Sequence, residues 1–146
     1  MAITSTMKKN HLDHGLHNEK VCKYLNNKPE FADWIITTAF YASMHLIYGK
    51  ILPVVIRSGN GKARILTFED LYNYHMAGKP SMSKHKFSLN YIEENHPNMA
   101  NQYQFLLDNC NMARYHKYDF PRDISKLAYQ YMQEIKKFCT TDDTVK

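Results

Sequence analysis

Apolar residues recur along this chain at intervals of three and four, in stretches separated by proline, glycine or asparagine, with no convincing alternating strand and no internal repeat. The pattern predicts an all-α domain, an up-and-down bundle of about five helices. The first is expected over about His11 to Leu25, with Leu16, Val21, Cys22 and Leu25 on its apolar side and Asn26-Asn27-Lys28 ending it. Pro29 suits the first turn of the next, which runs to about Leu52 before Pro53. Between Pro53 and Arg64 the glycine-rich Ser58-Gly59-Asn60-Gly61-Lys62 predicts a mobile loop. It lacks the lysine-hydroxyl ending of a phosphate loop. Thr67 caps a short helix to about Met76, stopped by Gly78-Lys79-Pro80, and Ser83 caps another to about Asn95. Pro97 opens a helix with Met99, Tyr103, Leu106, Cys110 and Ala113 on one face, ending near Tyr118, and Pro121 opens the last, with Ile124, Leu127, Ala128, Tyr131, Met132, Ile135 and Phe138 repeating.

The stretch Asp33 to Leu52 stands apart. Trp34, Thr38, Tyr41, His45 and Tyr48 follow one another at helical spacing and form one polar-aromatic stripe, while Ile35, Ile36, Ala39, Phe40, Ser43, Ile47 and Ile51 fill the other positions. A helix so apolar on its remaining sides belongs at the centre of the fold. Its tyrosine and histidine then need partners, because an unpaired buried hydroxyl or imidazole costs roughly 1–3 kcal/mol.

With 146 residues, 44% hydrophobic and 23% charged, the chain has the size and balance of one compact domain. The domain is expected over 11–139, with 1–10 and 140–146 as flexible ends. A net charge of +5 permits an acidic partner, but the basic residues are scattered, as on a solvated surface. Cys22, Cys110 and Cys139 form no CxxC pair and are odd in number, which argues for reduced thiols in a cytoplasmic protein. Gly49 and Lys50 interrupt the longest apolar run before it reaches spanning length, so no membrane association is expected.

Of the eight histidines, His11, His14 and His17 lie with Asp13 in HLDHGLH, at steps that bring helix side chains together. Nothing else in the sequence marks metal coordination, so an exposed helix start is the preferred reading, with no metal and no cofactor. In Ala113-Arg114-Tyr115-His116-Lys117-Tyr118, Arg114 offers a planar donor fork for phosphate and His116 exchanges protons near neutral pH. Metal-free cleavage of RNA needs such a cation, with a base for the 2′-hydroxyl and an acid for the leaving oxygen. Two residues apart on a continuous helix, however, the two side chains point to nearly opposite sides. They converge only if the helix unwinds there or a second subunit supplies one of them. The plain alternative is a set of cations near a helix C-terminus, favoured by its dipole.

His17-Asn18-Glu19, then Asp33-Trp34 with Phe40-Tyr41 and His45, then His85, then Ala113-Arg114-Tyr115 resemble, in that order, the small bacterial proteins of the HEPN superfamily, over about residues 11 to 138. The resemblance implies a helical bundle, commonly a homodimer, that acts as a metal-independent RNase in toxin–antitoxin and defence systems, or as a noncatalytic relative. The catalytic signature of that superfamily is an arginine followed after four to six residues by a histidine, often with a tyrosine close behind. His116-Lys117-Tyr118 matches its second half, but Asn109, Cys110 and Asn111 fill the arginine window. The expectation is therefore an RNA-linked domain whose catalysis, if present, uses a variant centre. His116 would act as acid or base, Arg114 would hold phosphate, His45 with Tyr41 would position, and His17, His85 and Tyr118 would help bind. A noncatalytic module that binds a protein partner, such as an antitoxin, is the alternative.

Overall fold

The computed structural model describes residues 2–59, 61–65 and 67–141, with side chains from Thr6 onward apart from Ser58. The domain is predominantly α-helical, as the periodicity predicts. Its helices are α1 (Ala2–Leu25), α2 (Ala32–Ile51), α3 (Phe68–Met76), α4 (Lys84–Asn95), α5 (Ala100–Tyr115) and α6 (Arg122–Thr140). Residues 142–146, the end of the expected C-terminal tail, lie outside the described residues. Among those described, no helix is long and apolar enough to cross a membrane.

Several helix starts follow directly from their capping residues. The Thr67 hydroxyl accepts from the Asp70 amide at 3.1 Å, and that of Ser83 accepts from the Lys86 amide at 3.1 Å. Each cap satisfies a backbone donor that the first turn leaves orphaned, a contribution of about 0.5–2 kcal/mol. Pro29 and Pro97 each open a single 3-10 turn, Pro29–Phe31 and Pro97–Met99, that feeds into α2 or α5. At the other end of α3, Gly78 takes a φ of +73°, which releases the chain from the helix.

Two expectations about boundaries are corrected. Helix α1 begins at Ala2, well before His11. Its added turns are polar and show no apolar period, but Lys8 Nζ donates to the Gly49 carbonyl at 3.0 Å and Lys9 pairs with Asp13 at 2.5 Å. Helix α5 stops at Tyr115, with His116 as its C-cap residue and the amides of His116 and Lys117 both donating to the Met112 carbonyl.

The glycine-rich stretch expected to be a loop is instead a β-hairpin. Strands β1 (Val54–Ser58) and β2 (Gly61–Ile65) pair antiparallel, from Val54 opposite Ile65 to Ser58 opposite Gly61. Two residues join them, and Gly61 takes a φ of +136° that a side chain would strain. The β-branched Val54 and Ile56 supply the inward face, packing with Ile65, Leu71 and Phe87 in a small second core under α3 and α4. The first strand begins with three consecutive apolar residues and the second alternates only over Lys62-Ala63-Arg64-Ile65, so the glycines between them dominate the pattern and it reads as loop.

Helix α2 forms the centre of the main core. Ile35, Ile36, Ala39, Phe40, Ala42, Ser43, Leu46 and Ile47 are buried, and the helix packs against α1, α5 and α6. The hydroxyls of Thr38 and Ser43 donate back to the carbonyls of Trp34 and Ala39, so neither enters the core unsatisfied. Gly15 of α1 lies so close to α2 that an added Cβ would stand 2.8 Å from Leu46 Cγ. Across the bundle, Glu19 of α1 accepts from Lys136 at 2.8 Å and from Gln133 at 3.0 Å, joining α1 to α6. Cys22 and Cys110 are buried, Cys139 is partly so, and all three are free thiols.

Candidate functional site

The polar stripe of α2 divides between two separate places. Toward the N-terminal half of the helix, Arg114 reaches across from the last turn of α5 and donates a hydrogen bond to the Tyr41 hydroxyl. Its guanidinium carbon stands 5.6 Å from the Tyr41 ring centre and 5.3 Å from that of Tyr115. Burial raises the pKa of Tyr41, and the Arg114 charge opposes that rise, so the phenol stays protonated and able to donate onward at neutral pH. This pair closes one end of a cleft of about 420 Å³ lined by Asn18, Asp33, Trp34, Thr37, Thr38, Tyr41, Ala113 and Arg114. Trp34 is 57% exposed and Tyr115 68%. The Trp34 ring, large and open, leaves a face free for a ligand, while the exposed Tyr115 ring carries the Arg114 guanidinium.

His45, three helical positions beyond Ala42, belongs to a different group. It lies against α1, where the ring of His14 stacks on it with centres 3.8 Å apart and His11 Nδ1 approaches its Nδ1 to 3.3 Å. Tyr48 meets His11 edge-on at 5.8 Å. Burial, followed by the neighbouring His14 and His11, lowers the pKa of His45 to about 4; burial and His14 lower that of His11. Near pH 7 His45 and His11 therefore meet as neutral rings. Among the described residues no group of three or more His, Cys, Asp or Glu side chains is placed to hold a metal ion. The four residues of HLDHGLH do not converge: Asp13 pairs with Lys9, and His17 is exposed.

The remaining expected residues are dispersed. His85 is exposed on α4, and its ring meets that of Phe40 in a T-shaped contact with centres 6.0 Å apart. His116 is exposed at the end of α5, where the helix has already opened, and Tyr118 beyond it is 74% exposed. Tyr41 and Arg114 come together, whereas His17, His45 and His85 do not line their cleft.

Trp34, a member of the polar-aromatic stripe, is exposed and lines the cleft. Asn18, Asp33 and Thr37 also line the cleft, beyond the residues expected from the sequence. Asn18 and Asp33 occur in the short motifs behind the family resemblance, and that adjacency is the one signal that marks them. No family model, no curated protein and no solved structure matches this chain.

Proposed function

We propose that this chain is a HEPN-like helical domain of an RNA-linked process, which holds single-stranded RNA in the Tyr41–Arg114 cleft. One observation carries the reading: a guanidinium, the group best shaped for phosphate, is held by Tyr41 at a cleft lined by the exposed ring of Trp34, with the exposed Tyr115 ring against the guanidinium. Single-stranded RNA is recognised by that combination, a cation for its backbone and aromatic faces for its unstacked bases. The net charge of +5 favours the encounter. Three free thiols support a cytoplasmic setting, and the family resemblance supports a homodimer.

Binding rather than cleavage is the activity the geometry favours. Scission without a metal needs a base and an acid beside the phosphate, and no histidine lines this cleft. A labelled single-stranded RNA should therefore bind in EDTA without being shortened, and Arg114→Ala should weaken it about tenfold, the loss of one charge-assisted contact. Absence of binding, or binding that Arg114→Ala leaves unchanged, overturns the assignment. Cleavage that disappears in His116→Ala would instead establish the enzymatic form of the same domain.

A further inference from the structure

Phosphate binding alone gives no use to Asp33. Its side chain is half-buried, lines the same cleft as Arg114, and has no hydrogen-bond or ion-pair partner among the described residues. A position in the first turn of α2 suits a negative charge through the helix dipole, but that benefit does not require the carboxylate to line a cleft. Next to a phosphate it would only repel. Asp33 and Tyr41 are separated by about 12 Å along the helix axis at 1.5 Å per residue, so the acceptor and the Arg114 donor stand at opposite ends of the cleft. One nucleotide spans such an interval from base edge to phosphate.

We propose that the cleft selects guanine, with Asp33 as the residue that reads it; the inference rests on the RNA-binding reading above. A carboxylate offers two parallel acceptors and no donor. Guanine is the one base whose Watson–Crick edge presents two adjacent donors, N1–H and the N2 amino group. Adenine and cytosine set one amino donor beside a ring-nitrogen acceptor, and uracil sets N3–H between two carbonyls. Only guanine matches the carboxylate without placing an acceptor against it. Trp34, the next residue on the same turn and open to solvent, supplies a face on which the purine stacks, while Arg114 takes the phosphate. The Asn18 amide already donates to the His14 carbonyl at 3.1 Å, which leaves its oxygen as a further acceptor at the cleft wall.

The test is fluorescence anisotropy with a labelled oligouridine carrying one central guanine, adenine, cytosine, uracil or hypoxanthine. Guanine should bind at least about fivefold more tightly than the other three natural bases, the range of a good bidentate base contact. Hypoxanthine, which lacks the N2 amino group, should fall between, a result that needs no protein variant. Asp33→Asn should abolish the preference, so that the guanine probe binds no more tightly than the others; Arg114→Ala should weaken all five probes together. If no probe binds, the RNA reading itself fails. If all bind alike, or if guanine preference survives in Asp33→Asn, RNA binding stands and the guanine assignment is overturned.

Discussion

The Tyr41 hydroxyl tethers the Arg114 guanidinium at the cleft, and Tyr41→Phe removes the tether while keeping the ring. Because Arg114 is exposed, the stability change should stay below about 1 kcal/mol by urea denaturation. RNA affinity should fall about fivefold, the equivalent of one ordinary hydrogen bond. A larger loss of stability with unchanged affinity would make the pair structural. His45 gives a prediction of a different kind. Its pKa is about 4 in the fold against 6.5 when unfolded, so between those values the unfolded chain holds the extra proton. Stability should therefore decline as pH falls from about 6.5 toward 4, by about 1 kcal/mol once solvent screening is allowed for. Urea midpoints at pH 7 and pH 5 in wild type and in His45→Gln measure it, and an equal decline in both proteins would remove His45 as the cause. At this scale the sequence is least legible. The spacing that places Trp34, Tyr41 and His45 in one row says nothing of which row members meet α5, which meet α1 and which meet water.

Helices, by contrast, announce themselves. Thr67, Ser83, Pro29, Pro97 and Pro121 mark starts that the structure keeps within a turn, because capping and proline chemistry act over a few neighbouring residues. The hairpin escapes notice because the alternation of its second strand, Gly61–Ile65, is too short to stand out beside the glycines, and Ile65 is the one side chain of that strand that is buried. The crossing of α1 and α2 is equally hidden, since it depends on a contact between residues far apart in the chain. Gly15 is its tightest point. Alanine there gains helix propensity of up to about 1 kcal/mol, but its Cβ would meet Leu46 Cγ at 2.8 Å and the Ala42 carbonyl at 3.1 Å. Overpacking should win, and Gly15→Ala should lower stability by about 1–3 kcal/mol in urea titrations. An unchanged or higher midpoint would mean that α1 shifts away from α2 without loss.

For the molecule as a whole, charge sets how the proposed RNA binding should respond to salt. Each phosphate neutralised on a single strand contributes a slope of about −0.7 in log K against log salt. Arg114→Ala should therefore flatten the slope by about 0.7 in a salt titration, whereas Asp33→Asn should leave it nearly unchanged because a base contact releases no counterion. The same helices that build the cleft also shield the three thiols. Burial raises Cys22 and Cys110 to about 11 and Cys139 to about 12, so near neutral pH each thiol is protonated, Cys22 and Cys110 fully covered and Cys139 partly so. Alkylation of Cys22 and Cys110 must then wait for the fold to open around them, and that of Cys139 should be the fastest of the three. Cys22 would register the parting of α1 from α2, Cys110 of α5 from α2 behind the cleft, and Cys139 the fraying of the last turns of α6. The chain thus carries, without any added label, three chemical clocks that time the loosening of three different seams.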